Sequence, residues 1–542
     1  MKMLVFFMQI DFENLPDNID TLKQFIHNLS DKYENILTDK EREIQILTEQ
    51  KKVLEHRLFG ASSEKQSTIN IDQLPLFNEV ELAEDGFIIN EEKSKDNEIV
   101  IKGYTRRKKG RKPIPSHLPR KEIIHDLSDI EKECQCCHKK RPKIGEEITE
   151  ELSYIPSKYY VKKHIRYKYG SCDCKESIQK EEQAVIIAPM PPRLIPGSIA
   201  TPELLAYITT AKYVDGLPLY RIEKQLKRHG LSIPRQTMSN WIIHIGKSIN
   251  DLLRLMLEET RSGPLIQLDE TRVQVLKELD RPATSQSYMW VTVGYPDNKK
   301  IVMYHYRQTR SKEVPLTLLK GYNGYIQTDG YSAYDDKGNE EGVIHVGCFA
   351  HARRKFDEVL KSDSDSENAK WFLEAVKRIY IIEKELRYKL DQENILPQVF
   401  EKERRELVSP ILEQIKEWLD RKSTEIPPSV LLGKAINYSL SQWGKMIRYL
   451  DSWLLTPDNN RVENAIRPFV IGRKNWLFCN TPSGAYASAG IYSIIETAKA
   501  NDLEPFNYLY FLYKELPKIK NKVDLKRLLP TKITPSELTI SQ

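Results

Sequence analysis

Apolar residues recur every three or four positions between residues 19 and 58, the spacing of one face of a long helix. No proline or glycine interrupts this stretch. The spacing is heptad-like and predicts a coiled coil that dimerises the chain, although one amphipathic helix packed on its own chain would give the same pattern. The apolar positions are Leu22, Ile26, Leu29, Tyr33, Leu37, Ile44, Leu47, Leu54 and Leu58, with Lys40 and Lys51 filling two places in the series.

Residues 264–350 have the short, alternating apolar runs of β-strands. The runs predict strands at Leu265 to Leu276, Tyr288 to Tyr295 and Lys300 to Tyr306, a short helix at Pro315 to Lys320, a strand ending at Asp329 and a strand at Val343 to Ala350. Three strands, a helix and a fourth strand form the first half of a ribonuclease-H-like layout, in which the first strand lies beside the end of the fourth. Asp269 and Asp329 would then be neighbours, with Gln267 and Gln327 on the same faces as their respective aspartates.

A third acid, Glu463, lies on the flank of a predicted helix whose apolar stripe is Val462, Ala465, Ile466 and Phe469. Arg467 follows one turn later, at i+4. Pro468 predicts a kink or an early stop in this helix. Glu496 is a weaker candidate for the third acid because it lacks an adjacent basic cluster.

Two strand-borne aspartates and a helix-borne glutamate can hold two Mg²⁺ ions, with Mn²⁺ as a substitute, because hard carboxylate oxygens suit these ions. Two such metals serve phosphodiester chemistry. Each acid alone would more often be a solvated surface group. Nearby cations would bind phosphate, or would otherwise form surface ion pairs, and the candidates are His351, Arg353, Arg354, Arg467, Arg473 and Lys474.

The chain has 542 residues, which is too long for one ordinary domain. Charged residues make up 30% and the mean hydropathy is −0.53, so a soluble protein is expected. No apolar run of about 18 residues predicts a membrane span. The apolar start, Leu4 to Ile10, lacks a small-residue cleavage site and predicts a cytoplasmic protein.

The net charge of +6 hides a strongly basic segment. Residues 102–121 contain nine Lys or Arg and no acid, after an acidic stretch at 66–97 that is typical of a linker. A basic arm with glycine and proline can track DNA phosphates without sequence preference, although a solubilising charge run would look similar. The candidate contacts are Arg106, Arg107, Lys108, Lys109, Arg111 and Lys112.

Five of the seven cysteines lie between residues 134 and 174. Two short clusters separated by about 34 residues are typical of a structural zinc site, although reduced, unliganded thiols are the alternative. The best four ligands are Cys134, Cys137, Cys172 and Cys174, and Cys136 and His138 are spare candidates. Cys348 is expected to be buried in a strand, and Cys479 to be inert.

Residues 219–245 predict two helices separated by Gly230, with Pro234 near the first turn of the second. Met238, Trp241, Ile242 and Ile245 would face inward. Polar residues would point away, as in a helix-turn-helix that reads base edges, and the candidates are Arg235, Gln236, Thr237, Ser239 and Asn240. Helical pairs of this kind also occur without DNA.

Motifs along nearly the whole chain resemble those of the large transposase of the insertion-sequence-66 family. They are Leu58 to Lys65, Leu118 to Arg120, the cysteine clusters, Leu217 to Arg221, Leu268 to Thr271, Thr328 to Tyr334, His351 to Phe356 and Arg467 to Phe478. The resemblance implies a DDE-type core whose acids fall on Asp269, Asp329 and Glu463. It also implies a helical insertion before the glutamate, a zinc-binding module, a coiled-coil N-terminus and small accessory proteins of the same element. Ser171 departs from the family's repeated Cys-x-x-Cys.

A multidomain α+β protein is therefore expected, acting on double-stranded DNA in the cytoplasm as a homo-oligomer. A DNA-binding regulator with an inactive nuclease fold, or a structure-specific nuclease that never joins strands, remain alternatives. The expected regions are an N-terminal helix (1–65), a linker (66–125), a zinc module (126–190), a helix-turn-helix-like region (191–255), the first part of a ribonuclease-H-like core (256–356), a helical insertion (357–453), the second part of the core (454–500) and a helical tail (501–542).

Overall fold

The computed structural model describes residues 18–59, 99–101, 104–106, 120, 158–170 and 185–538. Residues 62–165 form one compact unit, in which β1 (Ile99–Ile101) and β2 (Tyr104–Arg106) pair as an antiparallel hairpin. The remaining residues belong to a second unit. The acidic linker, most of the basic arm and the cysteines of the predicted zinc site lie outside the described residues.

The N-terminal segment is one uninterrupted helix, α1 (Ile19–Phe59), with bounds close to those predicted. Several of its apolar side chains are exposed, among them Ile26 (60% accessible), Tyr33 (55%) and Ile44 (62%). An apolar stripe of this kind is what a coiled coil requires. Pairing of α1 with a second copy stays a prediction.

A helical region precedes the main sheet. It begins after a small antiparallel pair, β3 (Lys168–Gly170) and β4 (Val185–Ile187). Four helices follow: α2 (Pro202–Tyr213), α3 (Leu219–Arg228), α4 (Arg235–Ser248) and α5 (Asn250–Ser262). The pair α3 and α4 is the helical pair expected from the sequence, with Gly230 in the turn at φ 77°. The four residues predicted to face inward from α4 are all buried.

The core is a five-stranded mixed sheet with the order β7–β6–β5–β8–β9. Its strands are β5 (Leu265–Gln274), β6 (Gln286–Gly294), β7 (Ile301–Arg307), β8 (Gly324–Gln327) and β9 (Val343–Val346). The first three are antiparallel, whereas β5 pairs with β8 and β8 pairs with β9 in parallel. The predicted adjacency of the first and fourth strands is confirmed. Two short helices, α6 (Glu313–Leu318) and α7 (Asp335–Gly338), lie within this region.

One strand prediction was too long. The apolar run that begins at Val343 leaves the sheet after Val346, and its later residues start a helix at Phe349. A short apolar run cannot by itself distinguish a buried strand from a buried helix face. Cys348 is buried as expected, but it precedes this helix and is not in a strand.

The predicted insertion is helical where the structure describes it. Its helices are α8 (Phe349–Ser362), α9 (Glu367–Gln392), α10 (Pro397–Glu425) and α11 (Leu431–Met446), followed by a 3₁₀ turn at Ile447–Asp451. The fully buried guanidinium of Arg404 donates to the carbonyl oxygens of Tyr449, Ser452 and Leu455 at 2.6, 2.9 and 3.1 Å. The insertion therefore fixes the segment that leads to the third acid.

The last helices are α12 (Asn460–Trp476), α13 (Pro482–Ala500), α14 (Pro505–Glu515) and α15 (Lys522–Lys526). α12 does not stop at Pro468, as the sequence allowed, but continues for two more turns. The proline removes the hydrogen bond to the carbonyl of Asn464, and this residue is exposed, so water can satisfy that oxygen.

Helix α13 closes the outer edge of the sheet. The hydroxyls of Ser493 and Thr497 accept hydrogen bonds from the backbone N–H groups of Tyr304 and Val302 in β7, at 2.8 and 3.0 Å. Helix α13 also packs on α4, which approaches so closely that a Cβ on Gly246 would lie 2.6 Å from the Cα of Ala487. The small residues of α13 therefore serve helix packing.

Candidate active site

Asp269 lies in the middle of β5, the strand at the centre of the sheet. It faces Val291 of β6 in the antiparallel register. Its side chain is half-buried, and one carboxyl oxygen accepts a hydrogen bond from the backbone N–H of Glu270 at 2.8 Å. The strand thus holds this carboxylate at a fixed point on one face of the sheet.

Asp329 follows β8 by two residues. In the parallel register, each residue of β5 faces the residue sixty positions later, so continuing that register sets Asp329 opposite Asp269. One oxygen of Asp329 accepts a hydrogen bond from the backbone N–H of Tyr331 at 2.9 Å, which is a local turn made by the aspartate itself. The same turn therefore ends the strand and orients the side chain.

Glu463 lies in the first turn of α12, whose buried face packs on β5 and β6. Its side chain is 20% exposed. Arg354 approaches one carboxyl oxygen at 3.4 Å and His351 approaches the other at 3.8 Å. Arg354 and His351 both lie on α8. Arg467, which the sequence placed one helical turn after Glu463, is therefore not the residue that contacts it.

The charges of the other two acids act on Asp269. Burial raises the pKa of Asp269 well above its usual range, and the charges of Glu270, Asp329 and Glu463 raise it further. Asp269 and the two predicted acids whose charges reach it, Asp329 and Glu463, are called the acid cluster below. Burial, with help from Arg354, lowers the pKa of His351, while Glu463 and Asp329 oppose that effect.

The donor set of this cluster suits a hard divalent cation. It consists of carboxylate oxygens, the ligands that Mg²⁺ prefers. One oxygen of Glu463 is buried without a hydrogen-bond partner, and a cation would satisfy it. In the part of the chain that the structure describes, no three acidic, histidine or cysteine side chains are gathered closely enough to hold a metal as they stand.

A buried amide pair lies one layer below the two aspartates. Gln267 donates to the side-chain oxygen of Gln327 at 2.7 Å, and both residues are fully buried. Gln327 in turn donates to the carbonyl oxygen of Thr456 at 2.7 Å, in the segment just before α12. The pair therefore links all three elements that carry the acids. Period-two alternation indicated the faces of these glutamines, but the contact with Thr456 had no signal in the sequence.

Glu270 points to the opposite face of β5 and forms a second network that sequence reasoning missed. Its buried carboxylate accepts hydrogen bonds from Arg310 and Tyr334. The guanidinium of Arg310 stacks on the ring of Tyr331, 3.8 Å from its centroid. Because Tyr331 also supplies the backbone N–H that orients Asp329, this network braces the aspartate turn from behind.

The other predicted phosphate-binding cations are dispersed. Arg353 pairs with Asp357 in its own helix at 3.7 Å. Arg467, one turn beyond Glu463, is half-buried. Arg473, near the end of α12, donates to the backbone oxygen of Arg272 and to the hydroxyl of Thr271. Lys474 is exposed. Arg354 is thus the predicted arginine that directly contacts an acid of the cluster.

The remaining candidates belong to other regions. Arg235, Gln236 and Asn240 are exposed on α4, and Gln236 donates to Asn240 at 3.2 Å. Arg106 falls in β2. Glu496, the weaker candidate acid, pairs with Lys499 at 2.9 Å. The residues that lie outside the described ranges are Arg107, Lys108, Lys109, Arg111, Lys112, Cys134, Cys137, Cys172 and Cys174.

None of the helices in the described ranges combines the length and apolar character needed to cross a membrane.

Comparison with protein families assigns four consecutive parts of the chain. Residues 197–487 match the model of the transposase IS66 family, which covers the whole sheet and all three acids. Residues 131–175 match the zinc-finger binding domain of transposase IS66, and this range contains the four candidate zinc ligands. Residues 46–123 match a model described as transposase C of IS166 homeodomain, and residues 493–531 match the IS66 C-terminal element.

Two relatives from Sinorhizobium fredii, both called uncharacterized proteins, match nearly end to end. One, y4qI, is 27% identical over 98% of this chain and 100% of its own length. The other, y4jD, is 28% identical over 88% of this chain and 92% of its own length. The family matches support a transposase-type enzyme with a zinc-binding domain and with DNA as its partner. The chain belongs to the IS66 family of transposases.

Proposed function

We propose that the protein cuts DNA strands at the ends of a transposable element and joins the freed 3′-hydroxyl to target DNA. The observation that carries the proposal is the approach of three half-buried carboxylates, on β5, after β8 and on α12. Burial and the charge of Glu270 raise the pKa of Asp269, and the charges of Asp329 and Glu463 raise it further. Such a cluster is costly without a cation, because like charges near one another oppose ionisation. Asp269, Asp329 and Glu463 would hold two Mg²⁺ ions, or Mn²⁺ as a substitute.

When bound there, the two ions would stabilise the attacking and the leaving oxygen of the phosphodiester. The protein's own groups have separate tasks. The acids orient the site, and Arg354 beside Glu463 offers a cation to the charge that develops on phosphate oxygens. His351, whose pKa is lowered, is neutral at pH 7 and serves as a hydrogen-bond partner.

The sheet order supports a ribonuclease-H-like core, since three antiparallel strands are followed by two parallel ones with the first strand in the centre. Other parts of the proposal concern regions around this core. Cys134, Cys137, Cys172 and Cys174 would bind a structural Zn²⁺. The exposed apolar stripe of α1 would form a coiled-coil homodimer, and α4 would offer Arg235, Gln236 and Asn240 to base edges. Small accessory proteins of the element would assist on DNA in the cytoplasm.

The decisive experiment compares Asp329→Asn with Asp336→Asn, an exposed acid that pairs with Lys312. Both variants and the unmodified protein are given labelled DNA that carries the element's end, with Mg²⁺. We expect joined products from the unmodified protein and the control, and bound but uncut DNA with Asp329→Asn. Nicking without joining would indicate a nuclease, and binding without cleavage by the unmodified protein would indicate a regulator.

A further inference from the structure

A cleft of about 360 Å³ lies at the far end of β5 from the acid cluster. Two arginines line it, Arg272 on β5 and Arg473 near the end of α12. The rest of the lining combines the apolar residues Val273 and Leu477 with the polar residues Gln274, Thr284, Ser285 and Gln286. Guanidinium, hydroxyl and amide groups that converge on one cleft can all bind an oxyanion.

The two arginines carry positive charge that the described part of the chain does not neutralise. Arg473 donates to Thr271 and to the backbone oxygen of Arg272, and neither acceptor is an acid. Burial and the nearby charge of Arg272 both lower the pKa of Arg473. Arg272 itself is exposed. An anion bound between the two guanidinium groups would reduce the repulsion between their positive charges. A planar guanidinium group can also form two parallel hydrogen bonds to a phosphate.

Both walls of the cleft lead back to the acid cluster. Asp269 precedes Arg272 by three residues on β5, which is about 10 Å at the rise of a strand. This odd step sends the Arg272 side chain to the opposite face, whereas Thr271, which accepts a hydrogen bond from Arg473, lies on the face of Asp269. Glu463 precedes Arg473 by ten residues on α12, which is about 15 Å at the rise of a helix. Successive phosphates on one DNA strand advance about 3.4 Å along the duplex axis. A duplex whose axis follows these elements would therefore have about three to four nucleotides between the acids and the cleft.

The end of α12 adds an apolar edge to the same place. Leu477 ends the helix at φ 68° and is 65% exposed, and Phe478 after it is 43% exposed. The chain is then tied to β5, because Cys479 donates to the backbone oxygen of Gln274 at 2.9 Å and Leu276 donates to Cys479 at 3.0 Å. A fixed segment that exposes an aromatic ring beside arginines suits a nucleic-acid strand, since bases stack on such rings.

We propose that this cleft binds one backbone phosphate of the DNA strand, about three to four nucleotides from the position that is cut. The proposal rests on the proposed function, because the acid cluster defines where the cut occurs. The cleft adds a contact that is independent of base sequence and that fixes the register of the strand on the enzyme.

The test uses Arg272→Gln, since this exposed side chain has no role in the acid cluster, with Arg378→Gln on α9 as a matched exposed arginine control. Binding to a duplex that carries the element's end is measured at several salt concentrations. Loss of one phosphate contact should weaken binding about tenfold and reduce the salt slope by about one, while the control changes neither. Arg473→Lys keeps the charge and should keep most of the slope. An unchanged slope for Arg272→Gln overturns the proposal.

A second measurement locates the phosphate. Single neutral methylphosphonate linkages are placed along each strand, and the one at the cleft should weaken binding by the unmodified protein but not by Arg272→Gln. The proposal is wrong if none of the neutral linkages weakens binding in this selective way. If, in addition, inorganic phosphate at constant ionic strength binds the unmodified protein but not Arg272→Gln, the cleft binds a free anion instead of DNA. Cleavage that requires Asp329 would survive that failure, so the two proposals fail separately.

Discussion

Asp269 and Glu270 are adjacent on β5, but strand geometry sends their side chains to opposite faces of the sheet. Both carboxyl groups are shielded from water, and burial is the largest cause that raises the pKa of each. Their neighbours differ. Tyr334 and Arg310 hydrogen-bond to Glu270 and oppose the rise that burial and the charge of Asp329 cause there. At Asp269, the charges of Glu270, Asp329 and Glu463 all add to the rise caused by burial.

The comparison separates two uses of a buried carboxylate. Glu270 has its counter-charge supplied by the protein, so its network is complete and braces the turn at Asp329. Asp269 stands among acids and lacks such a counter-charge within the described residues, and the proposed metal ions would supply it. Burial by itself does not distinguish the two, and the partners do.

The largest expected difference is in catalysis. Asp269→Asn should reduce the cleavage rate by at least about 10³-fold, because a neutral amide is a poor Mg²⁺ ligand. This effect is larger than the one expected when an enzyme loses a single hydrogen-bond donor to the charge that develops in the transition state. Glu270→Gln keeps the shape of the other network and should change cleavage far less. Rates on end DNA at saturating Mg²⁺ measure both.

Glu270→Gln tests the other half of the comparison, because its main effect should be on the free energy of unfolding. Weakening the bonds from Arg310 and Tyr334 should lower the free energy of unfolding by about 1 kcal/mol. If Glu270→Gln abolished cleavage in a fully folded protein while Asp269→Asn remained active, the assignment of the two faces would be reversed.

The next largest effect concerns the amide pair below the aspartates. Gln327→Leu removes the bonds to Gln267 and to the carbonyl of Thr456. Groups around metal ligands change metal affinity by about 10- to 100-fold. We expect about tenfold weaker Mn²⁺ binding, at the low end, because Gln327 acts through the backbone positions of the acids and not on their carboxylates.

Calorimetric titration with Mn²⁺ measures that affinity without depending on catalysis. The exposed residue Gln308 offers a matched control, and Gln308→Leu should bind Mn²⁺ normally. Equal affinities for Gln327→Leu and the control, in folded proteins, would mean that the amide pair contributes to packing alone.

The sequence suggested the three acids because each has a local signature. Asp269 and Asp329 each end an apolar run, although β5 continues beyond Asp269, and the predicted pairing of β5 with β8 is the one observed. The catalytic role of the acids stays a prediction. The partners of these acids had no such signature. Arg310 meets Glu270 from forty residues away, and Arg354 meets Glu463 from 109 residues away. Contacts of this separation depend on how β7 and α8 pack, which short-range patterns do not encode.

The helix boundaries show the same limit. A proline inside a helix usually causes a kink or a stop, so the expectation at Pro468 followed from local geometry. Helix α12 nevertheless continues past Pro468, because its apolar face packs on β5 and β6. Tertiary packing outweighed the local cost of about 3 kcal/mol. The bounds of α1, in contrast, were predictable because its pattern is long and strictly periodic.

The smallest expected effect is the pH dependence of stability. Because the pKa of Asp269 is raised, the folded protein retains a proton that the unfolded chain releases near pH 4. The contribution of this group to the free energy of unfolding is therefore greatest below about pH 4. It falls as pH rises toward the raised pKa, by at most about 1.4 kcal/mol per pH unit. Asp269→Asn cannot lose a proton and should not share this fall.

Chemical denaturation in chelator, from pH 4 to pH 8, gives the difference in unfolding free energy between Asp269→Asn and the unmodified protein. That difference should increase with pH in favour of the variant, and adding Mg²⁺ should cancel it by stabilising only the protein that keeps its aspartate. The same comparison in a Glu270→Gln background removes the contribution of Glu270, whose pKa is also raised and whose charge acts on Asp269. A difference that stays constant across this pH range would show that Asp269 already has a counter-charge within the chain, and the contrast between the two faces of β5 would fail.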